Sequence, residues 1–521
     1  MMRKNSFSIQ VFLRKTVLGM AALPLIFLTS CRDDDSTTTT SGTDTTTSGV
    51  SITSTSAASS ATVGLTATGA DTTDNIANNS FTNTITIAFS GTTATVSGTV
   101  SGVSTSVSNG TVNITSSASG VNYVVSGTTT NGALNIASDN QFKLTLNGAN
   151  ITNANGPAIN IASAVKAFVD VPSGTTNTLT DTVSSAAALY SAGSLLFSGS
   201  GTLSVAGKVA DAIQAAAKVR VTDTTLNITA AVNDGIQAGT LFVMDGGTLN
   251  ITTTPTTSYS KGVSVLTGYL IVNDGTINIT TSGSAGMSNQ YVSDSQSNTT
   301  AYSTIINGGT INITASSSSA ETEGIESNHG TVNINGGTLT LNVTDDAING
   351  ESSVNINGGK TYAYVTGNDA VDSNGTMYIT GGILVAVSTA ASPETSLDSD
   401  RNTFNISGGI VVGITPGATP TSPSASTQPV VLLGSGSANQ IINLQDSNSK
   451  EVITFLAPAA YSNILISTPN LSKSTTYSVY KGGSVSNGES FNGLYTSGTY
   501  NGGTLSKTFT TGSSSYTQST N

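Results

Sequence analysis

Aliphatic residues alternate with Thr and Asn in short runs through most of the chain, and the runs repeat. Thr248-Leu249-Asn250-Ile251, Thr276-Ile277-Asn278-Ile279 and Thr310-Ile311-Asn312-Ile313 are near copies, each following a glycine corner. Period-two alternation predicts strands with aliphatics on one side and Thr and Asn on the other. The pattern is sharpest over 321–382, where three phrases open with Glu323-Gly324-Ile325-Glu326, Asp346-Ala347-Ile348-Asn349 and Asp369-Ala370-Val371-Asp372. They close on Gly336-Gly337, Gly358-Gly359 and Gly381-Gly382, and their acidic openers stand 23 residues apart. Asp211 and Asp234 repeat that spacing. A fixed period in the low twenties with short strands is the mark of a β-solenoid, whose coils bury their apolar sides only against neighbours.

The predicted fold is therefore all-β: a parallel β-helix with coils of about 23 residues over 126–415, with β-rich caps at 63–125 and 428–510. Inserts at 253–262 and 283–304 should bulge as loops. Pro416, Pro420, Pro423 and Pro429 mark the end of the solenoid, so 416–427 reads as a loop and 511–521 as a flexible tail.

The N-terminus reads as a targeting segment. Arg3, Lys4, Arg14 and Lys15 precede or flank an apolar run, Thr16–Leu28, too short to span a bilayer. Leu28-Thr29-Ser30-Cys31 resembles a bacterial lipobox, so 1–30 is expected to be a signal peptide and Cys31, the sole cysteine, a lipidation site. The alternative is a plain secretory signal with a chance cysteine. Residues 31–62 are Ser- and Thr-rich and read as a flexible linker. Asp33-Asp34-Asp35 resembles an acidic surface-export signal, which places the protein on the bacterial outer membrane, exposed at the cell surface. Charged residues are only 9% of the chain, and loss of four basic and no acidic residues with 1–30 takes the net charge from −12 to −16. So acidic a chain is unsuited to nucleic acid. A monomer touching membrane only through its lipid is expected.

The run Gly174–Asp181, the Asp-[Ala/Gly]-[Ile/Val] openers and the Gly-Gly corners resemble the bacterial proteins labelled carbohydrate-binding domain-containing. These are secreted or surface right-handed β-helix proteins, similar in shape to pectate lyases. The resemblance covers roughly 63–500 and implies a right-handed solenoid, a polysaccharide ligand and bound calcium.

Stacking the three phrases puts Glu323, Asp346 and Asp369 in one column, Glu326, Asn349 and Asp372 in a second, and Thr322, Asp345 and Asn368 in a third. Neighbouring coils lie ~4.8 Å apart. Two carboxylates at that distance repel by ~1 kcal/mol in water and by more where water is excluded. Oxygen donors of this kind suit Ca²⁺, and the candidate ligands are Glu323, Glu326, Asp345, Asp346, Asn349, Asn368, Asp369 and Asp372. The competing reading is that the acids cap turns by accepting backbone N–H groups, which is favoured for Asp211 and Asp234. With one Cys and one His, zinc and copper are not indicated. Partly open calcium ions could bridge an acidic chain to an acidic polysaccharide such as polygalacturonate.

Sugar sites offer aromatic faces, and without Trp that role falls to Tyr. Lys360, Tyr362 and Tyr364 share one parity and are the candidate glycan contacts. Ile383, Val385, Val387, Ile410, Val412 and Ile414 follow on the same side, too apolar to face water, and the C-terminal segment is expected to cover them. The resulting reading is a surface-anchored, non-catalytic, calcium-dependent polysaccharide binder. A pectate-lyase-type enzyme is the alternative, and Lys360 and Arg401 are the basic residues near its acids. A structural adhesin is the third possibility. An ice binder fits less well, because the outward pairs are mostly Thr-x-Asn. His329, in Ser327-Asn328-His329-Gly330, reads as a surface turn residue.

Overall fold

The computed structural model describes residues 49–53, 59–183, 186–255, 259–289, 302–317, 322–400 and 403–520. Cys31, the signal segment and Arg401 lie outside them.

The chain winds into a β-solenoid of about 11 turns over 111–414. Each coil contributes one strand to each of three parallel faces. One coil consists of Ile348–Gly350 on the first face, Ser353–Ile356 on the second and Lys360–Val365 on the third. The next repeats it with Val371–Ser373, Thr376–Ile379 and Ile383–Ser388. Register is strict: Ile348 pairs with Val371, Val354 with Met377 and Ala363 with Ala386. The inward residues Ile348, Val354, Ile356, Ala363 and Val365 are fully buried. Burying a Val or Ile side chain contributes about 1.5–3 kcal/mol, and only stacking achieves it here.

Two expectations are corrected by this stacking. Coils average about 26 residues, not 23, because inserts lengthen some of them. Asn278 and Asn312, for example, are register partners across the insert at 283–304. Parallel pairing also reaches back into the expected cap, since Thr111–Ser116 pairs in parallel with Ala133–Ser138. Antiparallel hairpins, Asn83–Ser90 with Thr93–Ser97 and Val103–Ser108 with Thr111–Ser116, close that end.

The glycine pairs are explained by crowding at the turn into the third face. Gly359 has φ +75°, and a Cβ there would lie 2.5 Å from the Gly337 carbonyl oxygen of the preceding coil. The second glycine of each pair is needed for both reasons.

Residues 49–82 are neither a linker nor a simple cap. Val50–Ile52 pairs antiparallel with Gly498–Asn501 of the C-terminal segment. The chain then runs along the solenoid as a strap. Asn357 Nδ2 donates to the Val63 carbonyl (2.9 Å), Asn335 Nδ2 to Leu65 (2.9 Å), Asn307 Nδ2 to Ala67 (3.0 Å) and Asn273 Nδ2 to Thr68 (2.8 Å). The same amides bond one another from coil to coil, Asn357 to Asn335 at 2.8 Å and Asn335 to Asn307 at 2.9 Å. Each side-chain NH₂ thus spends one hydrogen on the ladder and one on the strap. Outward residues of the second face such as Leu196, Val243, Ile271 and Ile305 are buried as a result. Asp74, its side chain fully buried, ends the strap in an ion cluster with Lys166 (2.8 Å), Lys218 and Arg220 (3.5 Å).

At the other end, residues 430–520 form antiparallel sheets that close the solenoid. Val430, Leu432 and Leu465 complete the interior core. Ile383, Val385, Val387, Ile410, Val412 and Ile414 pack into a second core with Ile442, Phe455 and Ile466 of this segment, so the outward apolar strip is covered as expected. The tail is not flexible throughout: Tyr516–Ser519 pairs in parallel with Val430–Leu433.

Asp74→Asn should undock the strap without unfolding the solenoid, at a cost of ~2 kcal/mol, between exposed and fully buried ion pairs. Limited proteolysis checks this: cleavage within 59–82 should accelerate several-fold while the solenoid fragment persists. Unchanged cleavage would contradict it.

Candidate functional site

The corner between the third and first faces carries a column of buried aspartates. Asp181 Oδ1 accepts the backbone N–H of Lys208 (2.8 Å), Asp211 Oδ1 that of Asp234 (2.9 Å) and Asp234 Oδ1 that of Lys261 (2.8 Å). Asp346 Oδ1 accepts from Asp369 N–H (3.0 Å), and Asp369 Oδ1 from Thr395 N–H. Asp211, Asp234, Asp346 and Asp369 each cap the equivalent position of the next coil, while Asp181, in a neighbouring column, caps the residue after its register partner Gly207. This is the turn-capping role, and it holds for Asp346 and Asp369 as well as for Asp211 and Asp234. Asp346 is committed at both oxygens, because Asn349 Nδ2 donates to its Oδ2 (3.0 Å).

Three residues on, the outward column of the first face changes character along the axis. Its register runs Asn160, Tyr190, Gln214, Gln237, Ser264, Ser288, then Glu326, Asn349, Asp372 and Asp398. Neutral residues give way to acids in three of the last four coils, with Asn349 the exception. Carboxylate oxygens of Asp369, Asp372 and Asp398 all lie within 4.8 Å of one another. Asp369 is buried, while Asp372 and Asp398 are partly exposed. Asp398 Oδ1 is oriented by the Thr421 hydroxyl (2.6 Å) and its neighbour's N–H, Ser399 (2.9 Å).

The structure therefore gathers some predicted ligands and not others. Asp369 and Asp372 converge, and Asp398, missing from the sequence-based set, completes the group. Asp398 stands 26 residues after Asp372 in a coil whose opener reads Thr395-Ser396-Leu397, so the acidic motif is absent. The available signal was the acid three residues after that opener. Glu323 stands one coil below Asp346, and Asn349 Nδ2 donates to it (3.3 Å). Asp345 adds charge to Glu323, Asp346 and Asp372. The Asn368 backbone carbonyl accepts from the Ser388 hydroxyl (2.8 Å).

These acids raise one another's pKa. Burial first, then Glu326 and Asp346, push Glu323 up to about 10. Burial, then Asp372, push Asp346 up to about 9. Asp369 and Asp372 are pushed up to about 7, each mainly by burial and with Asp398 the strongest opposing charge. No Lys or Arg forms an ion pair with Asp369, Asp372 or Asp398 among the described residues. A dense set of hard oxygens without a cationic partner fits a calcium-type ion.

Lys360, Tyr362 and Tyr364 lie elsewhere. They project from the third face, where both tyrosines pack half-buried against the C-terminal segment and stack at 6.2 Å. Lys360 Nζ sits 5.9 Å from the Phe491 ring centre. They form the rim of the C-terminal packing, with Lys360 exposed and both tyrosines partly so. His329 is exposed in a bend.

The pH dependence follows directly. An acid with a raised folded pKa binds protons in the folded state that the unfolded chain has lost, so stability falls as pH rises from the unfolded value through the folded one. In chelator, the melting temperature should drop between about pH 4 and about pH 10, across the range set by Asp369, Asp372, Asp346 and Glu323. Calorimetry at fixed ionic strength measures it, and a flat or rising profile would contradict the assignment.

No curated protein sequence matches the chain. A solved structure described as that of the polysaccharide lyase-like protein from C. thermocellum, a gadolinium derivative, is 21% identical. The match covers 60% of this chain and 98% of that one, with a TM-score of 0.34. The sequence profile of the carbohydrate-binding domain-containing proteins matches residues 108–370, half of the chain and most of the solenoid, ending just before Asp372. The chain belongs to the carbohydrate-binding domain-containing protein family.

Proposed function

We propose that the protein binds acidic polysaccharide through calcium held at the acidic end of the first face, and that it does so from a lipid anchor at Cys31. The observation that carries the reading is the convergence of Asp369, Asp372 and Asp398, with no ion pair to a Lys or Arg among the described residues. Those three side chains would hold the ion, which takes 6–8 oxygen ligands and so leaves positions that a uronate carboxylate can fill. Bound calcium supplies the positive charge that lets a mature chain of net charge −16 approach a polyanion. Asp346 supports the site from below by accepting the Asp369 backbone N–H (3.0 Å). The lipobox-like Leu28–Cys31 and the polar stretch after it support attachment at the outer membrane surface.

The test is affinity electrophoresis of the mature chain in gels containing polygalacturonate or a neutral glucan. Retardation on polygalacturonate should occur with calcium and vanish with chelator. Asp372→Asn should weaken it at least about tenfold, or ~1.4 kcal/mol, without changing the fold. Retardation that persists in chelator would overturn the calcium bridge. For the anchor, Cys31→Ser should shift the protein from the membrane to the soluble fraction, and an unchanged distribution would refute lipidation.

A further inference from the structure

At the N-terminal end of the solenoid, three consecutive layers turn into the second face side by side. Asn83 is the register partner of Val121, and Asn122 that of Lys143, which brings 80–83, 119–120 and 140–141 together. These turns line a pocket of 540 Å³, within the ~300–1,000 Å³ typical of small-molecule sites. None of its lining residues is ionisable. Asn83, Ser119 and Gln141 are exposed and Asn140 is half-buried. Phe81 is half-buried too, its ring fixed by Phe168 at 5.3 Å.

The amides of this pocket are held in place and only half used. Asn83 Nδ2 donates to the Ser119 carbonyl (3.2 Å), Asn140 Nδ2 to the Ser117 carbonyl (3.0 Å) and Gln141 Nε2 to Asn79 Oδ1 (2.7 Å). Among the described residues no protein donor reaches Asn83 Oδ1, Asn140 Oδ1 or Gln141 Oε1. Each amide therefore keeps one acceptor and one N–H for a ligand. Two neighbouring hydroxyls, one donating and one accepting, match such an amide edge on both counts. A carboxylate could use only the N–H groups and an ammonium only the oxygens, and neither would find a countercharge in the pocket. Phe81, beside the amides, offers an aromatic surface to the apolar C–H face of a sugar ring.

We infer that this pocket binds a neutral sugar unit with vicinal free hydroxyls, its C–H face on Phe81 and its hydroxyls on Asn83, Asn140 and Gln141. That the ligand is a sugar rests on family membership, and neither the calcium reading nor the acidic column enters the argument. The molecule then has two separate sites for different units, uncharged ones here and uronates at Asp369, Asp372 and Asp398.

The experiment titrates short neutral glucan and mannan oligosaccharides, and their fully O-methylated counterparts, into the mature chain in chelator. At least one free oligosaccharide should bind at least about tenfold more tightly than its O-methylated counterpart. Gln141→Leu, which keeps the bulk and loses the amide, should remove most of that preference. Phe81→Leu, which keeps an apolar contact with Phe168, should weaken binding several-fold. Ser119→Trp, at an exposed position of the rim, should fill the pocket and block every ligand. Asn342→Ala removes an exposed amide from the third face and should change nothing. Polygalacturonate retardation with calcium should be intact in all four variants, so each site can fail alone. No binding of any free oligosaccharide, equal binding of the O-methylated ones, unchanged binding in Ser119→Trp, or an equal loss with Asn342→Ala would overturn the inference.

Discussion

Every coil of this solenoid can hide its apolar side only against the next coil, about 4.8 Å away. That constraint multiplies whatever residue stands at a given register position. Aliphatics gain from it on the inside. Amides gain from it at the corners, because each is donor and acceptor at once, as in the Asn273–Asn307–Asn335–Asn357 ladder. Carboxylates cannot bond one another this way unless they keep protons. The corner aspartates escape by turning one oxygen onto the next coil's backbone N–H. Asp372 and Asp398 stack on the outer side, where among the described residues neither accepts a backbone N–H of the next coil, and there the repulsion accumulates.

The same constraint governs the ends. A stack of parallel coils leaves open edges and an open core, and both invite aggregation. The two N-terminal hairpins close one end, and Val430–Leu433 with Asn463–Ser467 closes the other. The strap links these solutions, since it starts in a sheet with the C-terminal segment and ends in the ion cluster at Asp74. Its partners span nearly the whole solenoid, so it can dock only after the coils have formed. The strap therefore reports on the integrity of the stack.

Repetition decided what was legible in the sequence. The solenoid, its in-register columns and the covering of Ile383–Ile414 could be read from period and parity alone. The Val-Asn-Ile-Asn-Gly-Gly phrase was visible, but its purpose was not, because the partner of Asn357 is the carbonyl of Val63, almost three hundred residues away. Asp398 was hidden by a lengthened coil that lacks the acidic opener. The tyrosines at 362 and 364 looked like glycan contacts since parity places them outward, yet parity is silent on what packs against an outward face. Likewise, a residue's column gave no warning that Asp346 and Asp369 bond the neighbouring backbone.

The central claim is that the acidic end of the first face is built around a cation. Titration calorimetry of calcium into the metal-free mature chain tests it most directly, with Asp372→Asn and Asp398→Asn alongside. The account predicts saturable heat with the unmodified chain and its loss in both variants, with melting behaviour in chelator equal to or better than that of the parent. Absence of binding, or binding that both variants retain, would contradict it and leave the column as a set of proton-sharing turn residues.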